Sequence, residues 1–234
     1  MLALDTATPA VTAGVVALTS AAESATGSAL GPVTTRSVRV THDARKHGEL
    51  LLPGVLAACA DAGVALQEVD AVVVGTGPGP FTGLRVGMVT AAALGDALGI
   101  PVHGVCSLDA IAAESAADPV VDGPLLVVTD ARRREVYWAA YDEAGTRSAG
   151  PHVEAPASLI ARLPGLGVTA ASGAAAAGLG LPVVAPTAPG PAGLVACAAG
   201  ALRAGRRPGP LEPLYLRRPD AVEPGPRKPV TVAP

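Results

Sequence analysis

The 234 residues suffice for one large domain or for two small ones sharing a core, and a chain that is half apolar with 16% charged residues has globular rather than disordered composition. A net charge of −3 excludes a broad basic surface able to hold RNA or DNA unaided, although Arg203, Arg206, Arg207, Arg217, Arg218, Arg227 and Lys228 make the C-terminal stretch locally basic. Aromatic residues make up only 2%, which leaves Ala, Val and Leu to fill the interior, and no apolar run reaches membrane-spanning length.

Met1–Leu4 reads as a short strand closed by Asp5; with no basic region before the apolar run, this start does not read as a signal peptide. Thr6-Ala7-Thr8-Pro9 is a turn and Val11–Leu18 the returning strand. The Ala-, Gly- and Ser-rich stretch Ser20–Thr35 reads as a hairpin loop leading to a third, half-exposed strand at Arg36–Val40. A helix follows over Lys46–Ala62, with Leu51, Leu52, Val55, Leu56 and Cys59 at helical spacing and Pro53 either in its first turn or kinking it.

Val69–Val74 is a continuous apolar strand of the buried parallel kind, and it runs into the Gly-rich stretch 75–80. Thr82 is placed to cap a helix ending at Leu98, Pro101–Val105 is the next strand, and Ser107 is placed to cap a helix over Leu108–Ala117. The pattern then starts again: strand Leu125–Thr129, Asp130, a polar turn, strand Val136–Tyr141. LALD-TATPA-VTAGVVAL and LVVTD-ARRRE-VYWAAYDE share this layout, an internal duplication whose second copy is degraded. Val168–Ala171 is a candidate strand and Pro191–Ala204 a small-residue helix. Residues 219–234, with five prolines, read as an extended tail.

A strand meander followed by helix, strand and helix, occurring twice, predicts an α/β fold of two ribonuclease-H-like subdomains of the actin type (ASKHA), each a mixed five-stranded sheet with helices. The boundaries fall at 1–104, 105–218 and the Pro-rich tail 219–234, with the helix at 191–204 packing back on the N-terminal lobe.

In nucleotide-binding members of this architecture the first hairpin turn wraps phosphates with backbone N–H groups, which favours Gly. Here the turn after Asp5 has no Gly, Pro9 offers no N–H and no Lys follows, so Asp5 reads as a strand end bonded to its own turn. The run 75–80 fits neither GxxxxGK[ST] nor GxGxxG, and its two prolines remove donors. It reads as a rigid loop, with Arg85 the one cation placed to serve an anion there.

Gly83, Gly87, Ala91 and Gly95 recur at every fourth position, a small-residue ridge that fits either this domain's own sheet or a helix of another chain. His42 and His47 are five apart, the wrong spacing for two ligands on one helical turn, so no metal site is expected. Cys59, Cys106 and Cys197 form no CxxC and read as buried free thiols of a reducing compartment. Arg132, Arg133 and Arg134, flanked by Asp130 and Glu135, read as a solvated turn or as a contact for an acidic or phosphate-bearing partner. Tyr137 and Tyr141 share one strand face with Trp138 on the other, and all three read as core.

Taken together, LALDTATPA at 2–10, HGELLLP at 47–53, GTGPGPFTGLRVGM at 75–88, GVCSLDAIA at 104–112, DARRREVYWAAY at 130–141 and PLYLRRPD at 213–220 resemble the TsaB (YeaZ) family; only residues 142–200 match it poorly. The resemblance implies a non-catalytic partner and activator of its paralogue TsaD, which forms N6-threonylcarbamoyladenosine at position 37 of ANN-decoding tRNAs. It further implies that the ATPase TsaE joins the complex, that the chain alone forms a homodimer, and that tRNA is met only indirectly in the cytoplasm.

The resemblance places the docking face on His47, Leu51, Leu52 and Val55 of one helix and Gly83, Arg85, Val86, Gly87, Thr90 and Ala91 of the other. It implies no catalytic residue, no metal and no intrinsic cofactor. ATP or ADP would be held only in the assembled complex, near Asp5, Thr6, Thr8, Gly79 and Arg85. The alternatives are a stand-alone ATPase or kinase of the same fold and an M22-like peptidase; the latter lacks both a nucleophile–base pair and the HxxxH of TsaD-like enzymes.

Overall fold

The computed structural model describes residues 1–18, 33–43, 45–116 and 118–217. Its first sheet runs in the order β3-β2-β1-β4-β5, built from β1 (Leu2–Asp5), β2 (Ala10–Leu18), β3 (Val33–His42), β4 (Val72–Gly75) and β5 (Val102–Val105). The meander β1–β2–β3 is antiparallel, while β4 and β5 add in parallel. The second sheet, β10-β9-β6-β7-β8, repeats this plan with β6 (Leu125–Asp130), β7 (Val136–Tyr141), β8 (Arg147–Glu154), β9 (Ala170–Ser172) and β10 (Val183–Val184).

Helices fill the connections. In the first unit α1 (His47–Ala62) joins β3 to β4, α2 (Phe81–Leu98) joins β4 to β5, and α3 (Ser107–Ser115) follows β5. In the second, α4 (Pro156–Leu166) takes the place of α1 and α5 (Pro191–Arg203) that of α3, but turns over residues 173–182 stand where α2 would be. The degraded part of the duplication is therefore the loss of one helix.

Alternation along β1 decides the two faces of the first sheet. Leu2 and Leu4 pack with Leu51, Val55, Met88 and Ala91 of α1 and α2. Ala3, between them, faces Leu194, Val195 and Ala198 of α5. The terminal helices are thus exchanged: α5 covers the first sheet, while Leu108, Ile111 and Ala112 of α3 pack on Leu125, Val127 and Tyr141 of the second. Where α3 and α5 touch, Gly193 lies against the Ala110 carbonyl with no room for a Cβ. Its N–H donates to Oε1 of Glu114 (2.8 Å), so a carboxylate of α3 caps the N-terminus of α5. Tyr141 donates to Oδ1 of Asp109 (2.8 Å), tying α3 to β7.

Several local expectations are corrected. Thr82 does not cap α2, which begins at Phe81 after Pro80, and Ser107 is the first residue of α3 rather than its cap, its hydroxyl being engaged elsewhere. The third strand is longer than Arg36–Val40, because pairing with the whole of β2 carries it from Val33 to His42. Pro53 lies in the second turn of α1. Cys59 and Cys106 are buried, but Cys197 is exposed, on an α5 face that lines a groove with Asp109 and Tyr141. β8 and α4 were not foreseen: β8 is an edge strand with no buried residue that contains Gly150 and Pro151, and α4 buries only Leu159, so neither carries a clear apolar period. The expected loop at 20–32 and tail at 219–234 lie outside the described residues; residues 33–35 belong to β3.

Among the described residues no helix is long and apolar enough to cross a membrane. Leu194, wholly buried where α5 meets the first sheet, tests the exchanged packing. Leu194→Ala is expected to lower unfolding stability by about 2–5 kcal/mol, read from urea melts. A loss within a few tenths of a kcal/mol would mean that α5 does not contribute to that core.

Candidate functional site

The C-terminal ends of β1, β4 and β5 converge on Asp5, which is fully buried. Its Oδ1 accepts the Ala7 N–H (2.8 Å) and its Oδ2 accepts the Ser107 hydroxyl (2.6 Å). The same hydroxyl oxygen accepts the Gly77 N–H (3.2 Å), and the Ser107 N–H donates to the Gly77 carbonyl (2.7 Å). One carboxylate and one serine therefore join the first turn, the Gly-rich loop and the start of α3. Burial pushes the Asp5 carboxyl up to about 6, against the opposing pull of the bonds from Ser107 and Ala7.

The turn at 6–9 is closed from the other side by α1 and α2. Thr6 Oγ1 donates to the Gly83 carbonyl (2.7 Å), Nε2 of His47 donates to the Thr8 carbonyl (2.9 Å), and Thr8 Oγ1 accepts the Ala10 N–H (3.2 Å). The Gly-rich loop lies directly on this turn, so that a Cβ at Gly79 would run into the Ala7 backbone. Asp5, Thr6, Thr8 and Gly79, named from sequence as an anion contact, are brought together, but mainly to bond and pack against one another. Arg85 does not join them. Its guanidinium lies 3.8 Å from the centroid of Phe81, and its Nε donates to the Tyr215 hydroxyl (3.3 Å). Arg132 does approach: with Arg45, His47 and Thr8 it lines a small cavity of about 240 Å³ at the starts of α1 and α2.

The small-residue ridge is resolved in favour of this chain's own packing. A side chain at Gly83 or Gly87 would collide with Thr6, and one at Gly95 with Val102, while Ala91 is buried. His47, Leu51 and Val55 face inward as well. Of the expected docking residues, Leu52 and Arg85 are exposed and Val86 and Thr90 half-buried. Six of the ten positions are thus corrected to core, because a helical face regular enough to stand out in sequence is the face that packs on the sheet.

The outer faces carry apolar side chains that sequence reading left out. Leu56 is 51% exposed, Phe81 41% and Val89 66%, beside Leu52 at 46%. Tyr215 stacks near Phe81 (centroids 5.1 Å apart), and with Val89 and Leu211 it borders a surface groove of about 370 Å³. The available signal was the apolar residue out of phase with the buried stripe. His42 is exposed on β3 while His47 is buried, and among the described residues no three His, Cys, Asp or Glu side chains cluster as metal ligands would.

A family model described as TsaD: tRNA N6-adenosine threonylcarbamoyltransferase matches residues 40–188. An uncharacterised protein of Mycobacterium tuberculosis is 54% identical over 94% of this chain and 93% of its own length. The Bacillus subtilis tRNA threonylcarbamoyladenosine biosynthesis protein TsaB is 34% identical over 44% of this chain and 43% of its own length. Among solved structures, YeaZ from Pseudomonas aeruginosa superposes with a TM-score of 0.69 at 27% identity, covering 92% of this chain and 98% of that one.

The burial of Asp5 has a pH consequence. Because its folded value lies above its ordinary value near 3.8, the folded protein keeps a proton that the unfolded chain has released between those two pH values. Stability therefore falls as pH rises from about 4 to 6 and levels off above, by on the order of 3 kcal/mol from this group. Asp5→Asn, which cannot ionise, is expected to lack that decline when melts are recorded from pH 4.5 to 7.5. Parallel pH profiles for the two proteins would refute the assignment.

Proposed function

The chain belongs to the family of the tRNA N6-adenosine threonylcarbamoyltransferase model, within its TsaB (YeaZ) group of threonylcarbamoyladenosine biosynthesis proteins, and we propose that it is the non-catalytic partner and activator of the TsaD transferase at adenosine 37 of ANN-decoding tRNAs. The observation that carries the partner role is the apolar outer surface of α1 and α2, with Leu52, Leu56, Phe81 and Val89 exposed on adjoining helices. Large apolar side chains on two packed helices suit a helix pair of the same kind on another chain. In this role the isolated chain pairs with itself through the same helices, and TsaD displaces the second copy.

The first turn supports the absence of an activity of its own. The Ala7 N–H that a phosphate would use is taken by Asp5, and Gly79 of the Gly-rich loop packs against the Ala7 backbone where a phosphate would approach. At the first turn, ATP or ADP is held only in the assembled complex with TsaD and TsaE. The chain works in the cytoplasm, and tRNA is reached through TsaD.

Light scattering after size exclusion of this chain mixed with TsaD from the same organism is the test. The native chain is expected to give a heterodimer at micromolar concentration. Leu52→Glu with Val89→Glu, both at exposed positions, is expected to abolish it and to cut threonylcarbamoyladenosine formation in a reconstituted reaction at least about tenfold. Absence of a complex with the native chain would overturn the partner role. ATP turnover or threonylcarbamoyl transfer by the chain alone would overturn the non-catalytic one.

A further inference from the structure

A second cavity, of about 540 Å³, opens at the other end of the first sheet, on the α5 side and away from the outer faces of α1 and α2. It is bounded by the starts of β4 and β5 and by the C-terminal turn of α5, with Ala71, Pro101 and Leu202 among its apolar walls. The size and the mainly apolar lining are those of a small-molecule site.

Two features of the lining are unresolved within the chain itself. His103, on the edge strand β5, is only 7% exposed, and its ring bonds none of the described residues. Since no buried side-chain nitrogen among them is left without a partner, the unbonded ring nitrogens are open to the cavity that the ring lines. Burial also lowers the pKa of the ring, so it stands neutral at neutral pH with one donor and one acceptor to offer. Beside it, Arg203, Arg206 and Arg207 line the same cavity, and none of their guanidinium groups has a hydrogen-bond or ion-pair partner among the described residues. The three cations are exposed at the mouth of the cavity, and Asp70 is the one acid in its lining. The N-terminal amine, at the same rim, is already bonded to the Val16 carbonyl.

An anion that entered would find unpaired cations, and planar guanidinium forks match phosphate oxygens two at a time. We propose that this cavity binds a phosphorylated small molecule of nucleoside-monophosphate size, its phosphate held by Arg203, Arg206 and Arg207 and its flat body seated between Leu202 and the His103 ring. The ring supplies a hydrogen bond to a polar edge of that body, which gives the site a preference that charge alone would not. The site uses no residue of the α1–α2 docking surface, so occupancy and partner binding are separable.

AMP is the probe, with adenosine and inorganic phosphate as its two halves. The full chain carries four histidines, and their ring resonances can be followed individually. AMP is expected to shift His103 saturably, with a Kd below about 1 mM, while the exposed His42 and His152 stay in place. Adenosine and phosphate alone are each expected to bind at least about tenfold more weakly. Arg203→Gln with Arg206→Gln, at exposed positions that leave the core intact, is expected to weaken AMP at least about tenfold at an unchanged melting temperature. No saturable shift of His103 by about 10 mM AMP overturns the proposal, as does binding that the double variant leaves unchanged. Phosphate binding as tightly as AMP overturns the role given to the body of the ligand.

Discussion

Asp5 has both carboxylate oxygens bonded to its own chain, one to Ala7 and one to Ser107, at a point that no solvent reaches. A carboxylate taken out of water needs such partners, and the partners it found come from three separate segments. The first turn, the Gly77 loop and the start of α3 are therefore set relative to one another by one side chain. The starts of α1 and α2 follow, because His47 and Gly83 bond the same turn from outside. The Gly-rich loop packs directly on that turn, with Gly79 against the Ala7 backbone.

The lobes are held together by exchange. α3 leaves the first sheet to pack on the second, α5 returns from the second to the first, and the two helices meet at Gly193 and Glu114. Close backbone approach there requires that Gly193 have no side chain, and the half-buried Glu114 carboxylate satisfies an N–H that helix geometry would otherwise leave open. One consequence is asymmetry of surface. The second unit has no counterpart of α2, so the paired helices with an exposed apolar face belong to the first unit.

The two proposed surfaces lie on opposite sides of the first sheet. Its α1–α2 side presents apolar side chains to solvent, which suits another chain. Its α5 side holds a cavity lined by cations and by a histidine ring open to it, which suits a small anion. β1 connects the two, since Leu2 and Leu4 point to one side and Ala3 to the other. Neither surface needs the first turn to do chemistry.

The sequence alone determined the twofold plan, the order of elements in the first unit and a first turn without Gly. Those depend on near neighbours: apolar runs ended by Asp5 and Asp130, the missing Gly after Asp5, and Pro78 and Pro80 in the loop. The resemblance to the TsaB family was legible for the same reason, since its motifs are short contiguous runs. Tertiary structure decided which way each side chain points. The period that marks α2 at Gly83, Gly87, Ala91 and Gly95 is the same whether the ridge meets Thr6 of this chain or a partner, and only the path of the first turn settles it. His103, Arg203 and Arg206 are a hundred residues apart in two unremarkable segments. Nothing local signals their meeting, because it is the exchange of α5 onto the first sheet that brings the end of that helix to the start of β5.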